Sequence, residues 1–280
     1  VILKGNKMKI GIVPMSAKPF HAGHDSLIKF AAGIELLDSL EKQGFVKQEN
    51  DIVNVYVSYS SRDVKKRTRT TTRDGIKQKE KYEEAIPGKA PVFGADMEYI
   101  WENILTKDNL GYSGTNVEII SPKQSGTNSP VTAGFDLADL FKEAYNNKNS
   151  HWTDPVSGIT FETLKTFICF YCGIDDMNRY SDDTMLNLYG DLWLDKRISV
   201  MPIPRVVSIS GTQMREYLCS GDIESIKAMF PAALKDNHKE KIANILINSV
   251  SCSYPSTRNL VNKIKNESLL RKYINLKLLK

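Results

Sequence analysis

The chain has 280 residues, 41% hydrophobic and 25% charged, with 17 Gly, 11 Pro and a formal net charge of +5. This is the composition of a globular protein, and it excludes disordered, collagen-like and disulfide-scaffold classes. The longest apolar stretches, such as 166–172, fall far short of the roughly 20 residues that cross a membrane as a helix.

Taken in chain order, Lys9 to Val13 is expected to form a short buried strand. A loop over 14–23 follows, then a helix with apolar positions at Leu27, Ala31, Ile34 and Leu37. The β-branched run Ile52 to Ser58 reads as the second strand. Arg73 to Ala85, rich in Lys and Glu, reads as an exposed helix, and Met97 to Leu105 as another. Asn116 to Ile120 is a third strand, and 121–132 is a loop rich in Ser, Pro, Gly and Thr. Asp136 to Tyr145 has helical spacing, and turn formers over 146–158 mark a surface insertion. Thr166 to Gly173 is a fourth strand and Ile198 to Ile203 a fifth, with a capped helix start at Ser181 between them. From Thr212 onward the pattern is helical, broken near Gly221, Pro231 and Pro255.

Strands alternating with helices argue for a parallel sheet covered on both faces. The expected fold is therefore a doubly wound, Rossmann-like α/β domain of about five strands over 8–222, with a C-terminal helical extension over 223–280. Ligands of such sheets bind beyond the carboxyl ends of the strands, so the loops starting at Pro14, Ser58, Ser121, Gly173 and Pro204 should line the site. The sequence opens on Val1 without a secretory-type apolar segment, which leaves either a trimmed leader or a start at Met8. Cys169, Cys172, Cys219 and Cys252 show no framework spacing, which fits a reducing compartment, with the cytoplasm as the default.

Charge is unevenly spread. Arg62, Lys65, Lys66, Arg67, Arg69 and Arg73 crowd one window against Asp63, and a second basic excess runs over 258–280. Such patches attract phosphates, whether of nucleotides, nucleic acid or metabolites. The first window can clamp an acceptor phosphate through Arg62, Arg67, Arg69 and Arg73, form a solvated loop, or touch nucleic acid; its lack of interleaved aromatics argues against base stacking.

The most informative stretch is Pro19-Phe20-His21-Ala22-Gly23-His24, at the entry of the first helix. Two imidazoles three residues apart at a helix N-terminus can both meet an anion, and Gly23 lets backbone approach it. A pairing of one capping and one core histidine is the plain structural alternative. Ser210-Gly211-Thr212, with Arg215 one turn on, offers a second set of N–H groups, hydroxyls and a guanidinium to phosphates; an ordinary N-cap with an exposed Arg is equally compatible with it. Cys169 and Cys172 invite a metal reading, but residues three apart on a strand point to opposite faces, and no carboxylate cluster forms a metal cage. His151-Trp152 reads as an exposed loop pair, and Tyr180 with Asp182 and Asp183 as packing and capping.

With those motifs in place, the chain resembles the H-x-G-H nucleotidylyltransferases, the cytidylyltransferase-like superfamily. Pro19 to His24 looks most like archaeal-type nicotinamide mononucleotide adenylyltransferases, whose version reads Q-P-F-H-x-G-H, and Ser210 to Asp222 is similar to their S-G-T-x-x-R segment with its following G-D. The resemblance rests on two short anchors and the order of elements between them. It implies that His21 and His24 contact the nucleotide phosphates and stabilise the transition state, while Arg215 holds the β- and γ-phosphates beside Ser210, Gly211 and Thr212. It also implies nucleotide contacts from Pro14, Met15, Ser16, Lys18 and Gly23, and from Asp175 in Gly173-Ile174-Asp175. Met15 and Ser16 stand where the family has Gly-Arg, and Lys18 where it has Gln.

The implied activity is transfer of a nucleoside monophosphate from a nucleoside triphosphate, ATP before CTP, to a phosphorylated small molecule, releasing pyrophosphate. Mg²⁺ would arrive bound to the triphosphate. A cytidylyltransferase acting on a phosphorylated alcohol or sugar is the near alternative, although R-T-x-G-I-S-T-T is absent. A nucleotide sensor or nucleic-acid binder without turnover is the alternative of a different class. A class I aminoacyl-tRNA synthetase is disfavoured by the lack of a K-M-S-K-S-like segment. No membrane partner is expected, and self-association is left open.

Overall fold

The computed structural model describes residues 2–3, 8–35, 38–45, 52–60, 64–73, 76–85, 92–127, 129–204 and 209–250. In chain order the elements are β1 (Ile2–Leu3), β2 (Met8–Pro14), α1 (Ala22–Ala31), α2 (Asp38–Glu41), β3 (Ile52–Ser58), β4 (Val64–Arg73) and β5 (Ile76–Ala85). There follow α3 (Gly94–Asn103), α4 (Lys107–Leu110), β6 (Val117–Ile120), α5 (Pro122–Ser125), α6 (Pro130–Asn146), β7 (His151–Thr153), β8 (Thr160–Glu162) and β9 (Thr166–Gly173). The last elements are α7 (Asp182–Tyr189), α8 (Asp191–Leu194), β10 (Ile198–Ile203), α9 (Gly211–Ser220), α10 (Ile223–Ala228) and α11 (Asp236–Ser249). Among the described residues no helix is long and apolar enough to cross a membrane.

The chain divides into two compact units, one of Val1–Ser60 with Lys107–Ile209, the other of Ser61–Thr106 with Ser210–Lys280. This partition groups α9 and residues 61–106 with the later helices.

The first unit is built on a five-stranded sheet in the order β10-β9-β2-β3-β6, parallel throughout. This is the doubly wound α/β architecture expected from the alternation of strands and helices. β2 shows why the sheet needs two covers: Ile10 and Ile12 face one side, Gly11 and Val13 the other, and all four are buried. On the first side α6 buries Gly134, Leu137, Ala138, Phe141 and Ala144, spaced to one helical stripe. Gly134 permits the close approach, because a Cβ there would lie 2.9 Å from Ile12 Cγ2 and 3.1 Å from Phe170 Cε1. On the second side α1 brings Phe30 edge-on to Tyr171, their ring centroids 6.4 Å apart.

Several boundaries differ from those expected, each for a local reason. Residue Ala32 closes α1 by donating to the Ile28 carbonyl, so Ile34 lies beyond the helix and Leu37 falls outside the described residues. Helix α6 starts at Pro130, inside the expected loop, because Ser129 caps it and Pro fits the first turn. The turn-rich segment 146–158 contains β7, which pairs with β8 in a small sheet with β1. Trp152 is consequently buried against Phe141 and Phe161 rather than exposed; His151 beside it is exposed. Tyr180 is buried, and Ser181 caps α7 with Asp182 and Asp183 in its first turn, as expected.

The second unit packs α3, α9, α10 and α11 around Met97, Ile100, Trp101, Met214, Leu218, Ile226, Ile242 and Leu246. Ser249 Oγ accepts the Phe93 N–H at 3.0 Å and ties the end of α11 to the start of α3. Breaks near Gly221 and Pro231 separate the helices as expected; Gly221, at φ 72, ends α9 in the left-handed conformation that glycine adopts without strain. The break expected near Pro255 lies outside the described residues.

The largest correction concerns 73–85. Instead of an exposed helix, β5 pairs antiparallel with β4 in a two-stranded ribbon, Arg73 standing opposite Ile76 and Val64 opposite Ala85. The Lys and Glu content that suggested a helix instead places Lys65 across from Glu84, Lys66 from Glu83 and Arg69 from Glu80, and β-branched Thr68, Thr70, Thr71 and Thr72 favour the extended backbone.

Candidate functional site

In a parallel sheet all carboxyl ends lie along one edge. The register sets Pro14 beside Ser58, Ser58 beside Ile120, and Ile203 beside Gly173. Chain order reverses direction between β2 and β9, so the loop after β2 and the turn after β9 diverge at that edge and open the crevice where such sheets accept ligands. The segment 15–21 crosses this point. Its Met15 N–H donates to the Ser58 carbonyl at 3.1 Å, and Met15 and Ala17 are buried, while Ser16 is exposed and Pro14 and Lys18 are half-buried. Ala17 takes φ 43, a left-handed backbone that costs a non-glycine residue about 1 kcal/mol or more and that clusters at ligand clamps.

Both histidines are built into the start of α1. His21 is its N-cap, and its Nδ1 accepts the Gly23 N–H at 3.2 Å. His24, in the first turn, returns the contact: its Nδ1 accepts the His21 N–H at 3.3 Å. The two rings stand 3.9 Å apart at 30°, and buried Phe20 stacks on His24 at 5.7 Å. This is a capping box with imidazoles in the places usually held by Ser or Thr and Glu or Gln. Because both Nδ1 atoms accept, each neutral ring carries its proton on Nε2, and both are donors of the kind an oxyanion takes at a helix N-terminus. Both histidines therefore take part in the cap, instead of one capping and one packing in the core.

A group that the spacing did not reveal supports this turn from behind. Asp25, next to His24, is buried; its Oδ1 accepts from the Tyr112 hydroxyl at 2.5 Å and its Oδ2 meets Lys29 Nζ at 3.0 Å. Lys29 reaches Glu35 as well, at 3.6 Å. Burial pushes the Asp25 carboxyl above its ordinary value, and the Tyr112 hydrogen bond and Lys29 charge pull it part way back. Burial works to lower Lys29, but Asp25 outweighs it and holds the ammonium up. The Lys29 part was visible as an i, i+4 pair; Tyr112, 87 residues from Asp25, carries no local signal.

Beyond β9, Asp175 is exposed at the start of a 3₁₀ segment, and neighbouring Asp176 pairs with Arg179 at 3.2 Å. The segment after β6 is the short helix α5, capped by Ser121, which accepts from the Gln124 N–H at 3.3 Å.

The second anchor belongs to the other unit. Ser210 caps α9, accepting the Gln213 N–H at 3.1 Å, and Gly211 and Thr212 form its first turn. Arg215 is half-buried and donates from Nη1 to the Gly211 carbonyl at 3.0 Å; burial lowers its pKa from the ordinary value. Arg67, Arg69 and Arg73 lie on β4, and Arg62 lies outside the described residues.

Cys169 and Cys172 are buried free thiols on opposite sides of β9, both pushed up by burial, Cys172 to about 12. Cys219, on α9, is disulfide-bonded. Among the described residues no group of three or more His, Cys, Asp or Glu is arranged to hold a metal ion. No protein-family model matches the chain, and no curated protein is significantly similar to it.

Proposed function

We propose that the protein is a nucleotidylyltransferase, moving a nucleoside monophosphate from a nucleoside triphosphate to a phosphorylated small molecule. The observation that carries this reading is the reciprocal His21–His24 pair at the N-terminus of α1 and at the reversal point of the sheet. Such a reaction asks the protein for positioning and for positive charge where negative charge develops, rather than for a covalent nucleophile. An acceptor phosphate oxygen forms the new bond to the α-phosphorus. The bond from that phosphorus to the α,β-bridging oxygen breaks, and pyrophosphate leaves. In this reading His21 and His24 donate to the α-phosphate oxygens; the family resemblance, rather than the geometry, assigns the β- and γ-phosphates to Arg215, Ser210, Gly211 and Thr212. Mg²⁺ enters with the triphosphate. ATP is favoured over CTP by the similarity of 210–215 to the adenylyl branch.

The capping role of both histidines favours one second reading, a nucleotide-binding protein without turnover, because the box accounts for both residues structurally. Pyrophosphate release separates the two. ATP and CTP are supplied with Mg²⁺ against nicotinamide mononucleotide and a panel of phosphorylated alcohols and sugars. Release that requires one nucleotide, one acceptor and His24 is the expected result. Nucleotide binding with no release from any pair would replace the transferase with the binder.

A further inference from the structure

The capping box fixes His21 and His24 relative to each other, and their turn closes on itself: the His21 carbonyl accepts the His24 N–H at 2.9 Å and the Asp25 N–H at 3.3 Å. Where the pair stands relative to the sheet is a separate matter. Transfer chemistry depends on it, because a misplacement of about 1 Å can cost about a hundredfold in rate. Asp25, in the same turn, reaches across to another element.

Its carboxylate is held at both oxygens. Lys29 Nζ, 3.0 Å from Oδ2, belongs to α1 itself, so that contact orients the carboxylate within the helix. The Tyr112 hydroxyl, 2.5 Å from Oδ1, comes from outside it. Tyr112 is fully buried, and its main chain is fastened on both sides. Its N–H donates to the Lys107 carbonyl at 2.7 Å, and its carbonyl accepts the Thr115 N–H at 3.0 Å and the Thr115 hydroxyl at 2.6 Å. Thr115 Oγ1 accepts the Val117 N–H at 3.3 Å where β6 begins, and the Asn116 carbonyl between them accepts the Val55 N–H of β3 at 2.8 Å. A continuous path thus runs from the central sheet through residues 115–117, Tyr112 and Asp25 to the carbonyl of His21.

Stability alone is a poor reason for this arrangement. Burial costs the Asp25 carboxylate more than Tyr112 and Lys29 return, which leaves its pKa raised. Apolar side chains of similar volume in such a place are often as stable or more so. What a hydrogen bond adds, and an apolar contact lacks, is direction.

We propose that Tyr112 is a positioning residue for the transfer reaction: acting through Asp25, it fixes where the His21–His24 pair meets the reacting phosphate. The inference rests on the nucleotidylyltransferase reading above. Tyr112, buried behind the turn, holds the pair in place and takes no part in the bond-making itself.

The test follows single-turnover transfer by the full chain, with the nucleotide and acceptor pair that wild type uses, both saturating, at a temperature where circular dichroism shows every variant folded. Tyr112→Phe should lower the rate about tenfold, less than a full 1 Å displacement would, with little change in nucleotide affinity. Asp25→Ala should lose at least as much. Adding Tyr112→Phe to Asp25→Ala should change the rate no further, since a residue that acts through another contributes nothing once that other is gone. Phe141→Leu, under α6 on the other face of the sheet, lowers stability away from the site and should keep the wild-type rate. A wild-type rate in Tyr112→Phe overturns the proposal, as does a loss that persists in full on the Asp25→Ala background, or an equal loss in Phe141→Leu. If wild type transfers nothing to any acceptor, the nucleotidylyltransferase reading falls and takes this inference with it. An active wild type with an unaffected Tyr112→Phe removes this inference alone.

Discussion

Helices α1 and α9 both begin with a side chain turned back on their own first turn, yet they use that position differently. At α9 the Ser210 hydroxyl accepts one N–H, and Arg215 spends a donor on the Gly211 carbonyl. The cap is ordinary, and one guanidinium nitrogen bonds the first turn of its own helix. At α1 two imidazoles do the capping through Nδ1, with their Nε2 protons on the opposite side of each ring. An imidazole has a second nitrogen, so it can satisfy backbone and still act as a donor. A capping hydroxyl also keeps its O–H donor, but unlike an imidazole it cannot take on a positive charge near neutral pH. This difference makes α1 the better candidate for chemistry and α9 for binding.

The largest expected effect tests whether the His24 ring does more than cap. His24→Ala should lower turnover at least a hundredfold, since losing a preorganised donor to the transition state costs about 2.7–4 kcal/mol. His24→Gln sharpens the result, because Gln is a natural partner at that place in a capping box. It should recover the stability lost by Ala, about 1 kcal/mol, while turnover stays as low. Recovery of both in pyrophosphate-release and thermal-denaturation measurements would reduce the α1 pair to a cap and erase its contrast with α9.

A second test addresses what holds α1 in place. Tyr112→Phe removes a hydrogen bond to a buried carboxylate, for which about 1.5–3 kcal/mol of stability is expected to go. The sign of its pH dependence follows from Asp25. Its carboxyl is raised from 3.8 in the folded chain, so the native state binds the proton more tightly than the unfolded one. Its contribution is therefore most favourable below pH 3.8 and declines as pH rises through the raised value. Tyr112 opposes that rise. The deficit of Tyr112→Phe against wild type should accordingly widen as pH increases over this window, read as the difference in Tm. A constant deficit would mean that Tyr112 acts by packing alone.

Much of the first unit could be read from the chain. Ile52–Ser58, Thr166–Gly173 and Ile198–Ile203 match the expected strands residue for residue, because buried parallel strands are continuous apolar or β-branched runs bounded by turn formers. His21 and His24 were legible as a pair because they are close in sequence and open a helix. What escaped was non-local or depended on a competing local preference. Tyr112 reaches Asp25 across 87 residues, and nothing near either one announces it. The ribbon was misread because Lys and Glu suit helices as well as cross-strand pairs. Asp74-Gly75 between two extended runs was the overlooked sign of a hairpin. Trp152 was misplaced because turn formers around it outweighed one aromatic residue that the core claims.

The next effect in size belongs to the binding side of the comparison. Arg215→Ala should weaken triphosphate affinity about tenfold, near 1.4 kcal/mol, with a smaller change in turnover at saturating nucleotide. Loss of turnover without loss of affinity would place Arg215 in the chemistry instead and reverse the roles given to α1 and α9.

The smallest effect isolates the caps themselves. Ser210→Ala should destabilise the protein by about 1 kcal/mol, because the Gln213 N–H loses its 3.1 Å acceptor at the start of α9. Ser210→Asp keeps an acceptor and adds a negative charge, which the helix dipole favours, so stability should return. The same charge opposes an incoming triphosphate, and nucleotide affinity should fall below that of Ser210→Ala. If the Asp variant instead binds nucleotide as well as the Ala variant does, the start of α9 is a cap and nothing more. The phosphate-binding role would then rest on α1 alone.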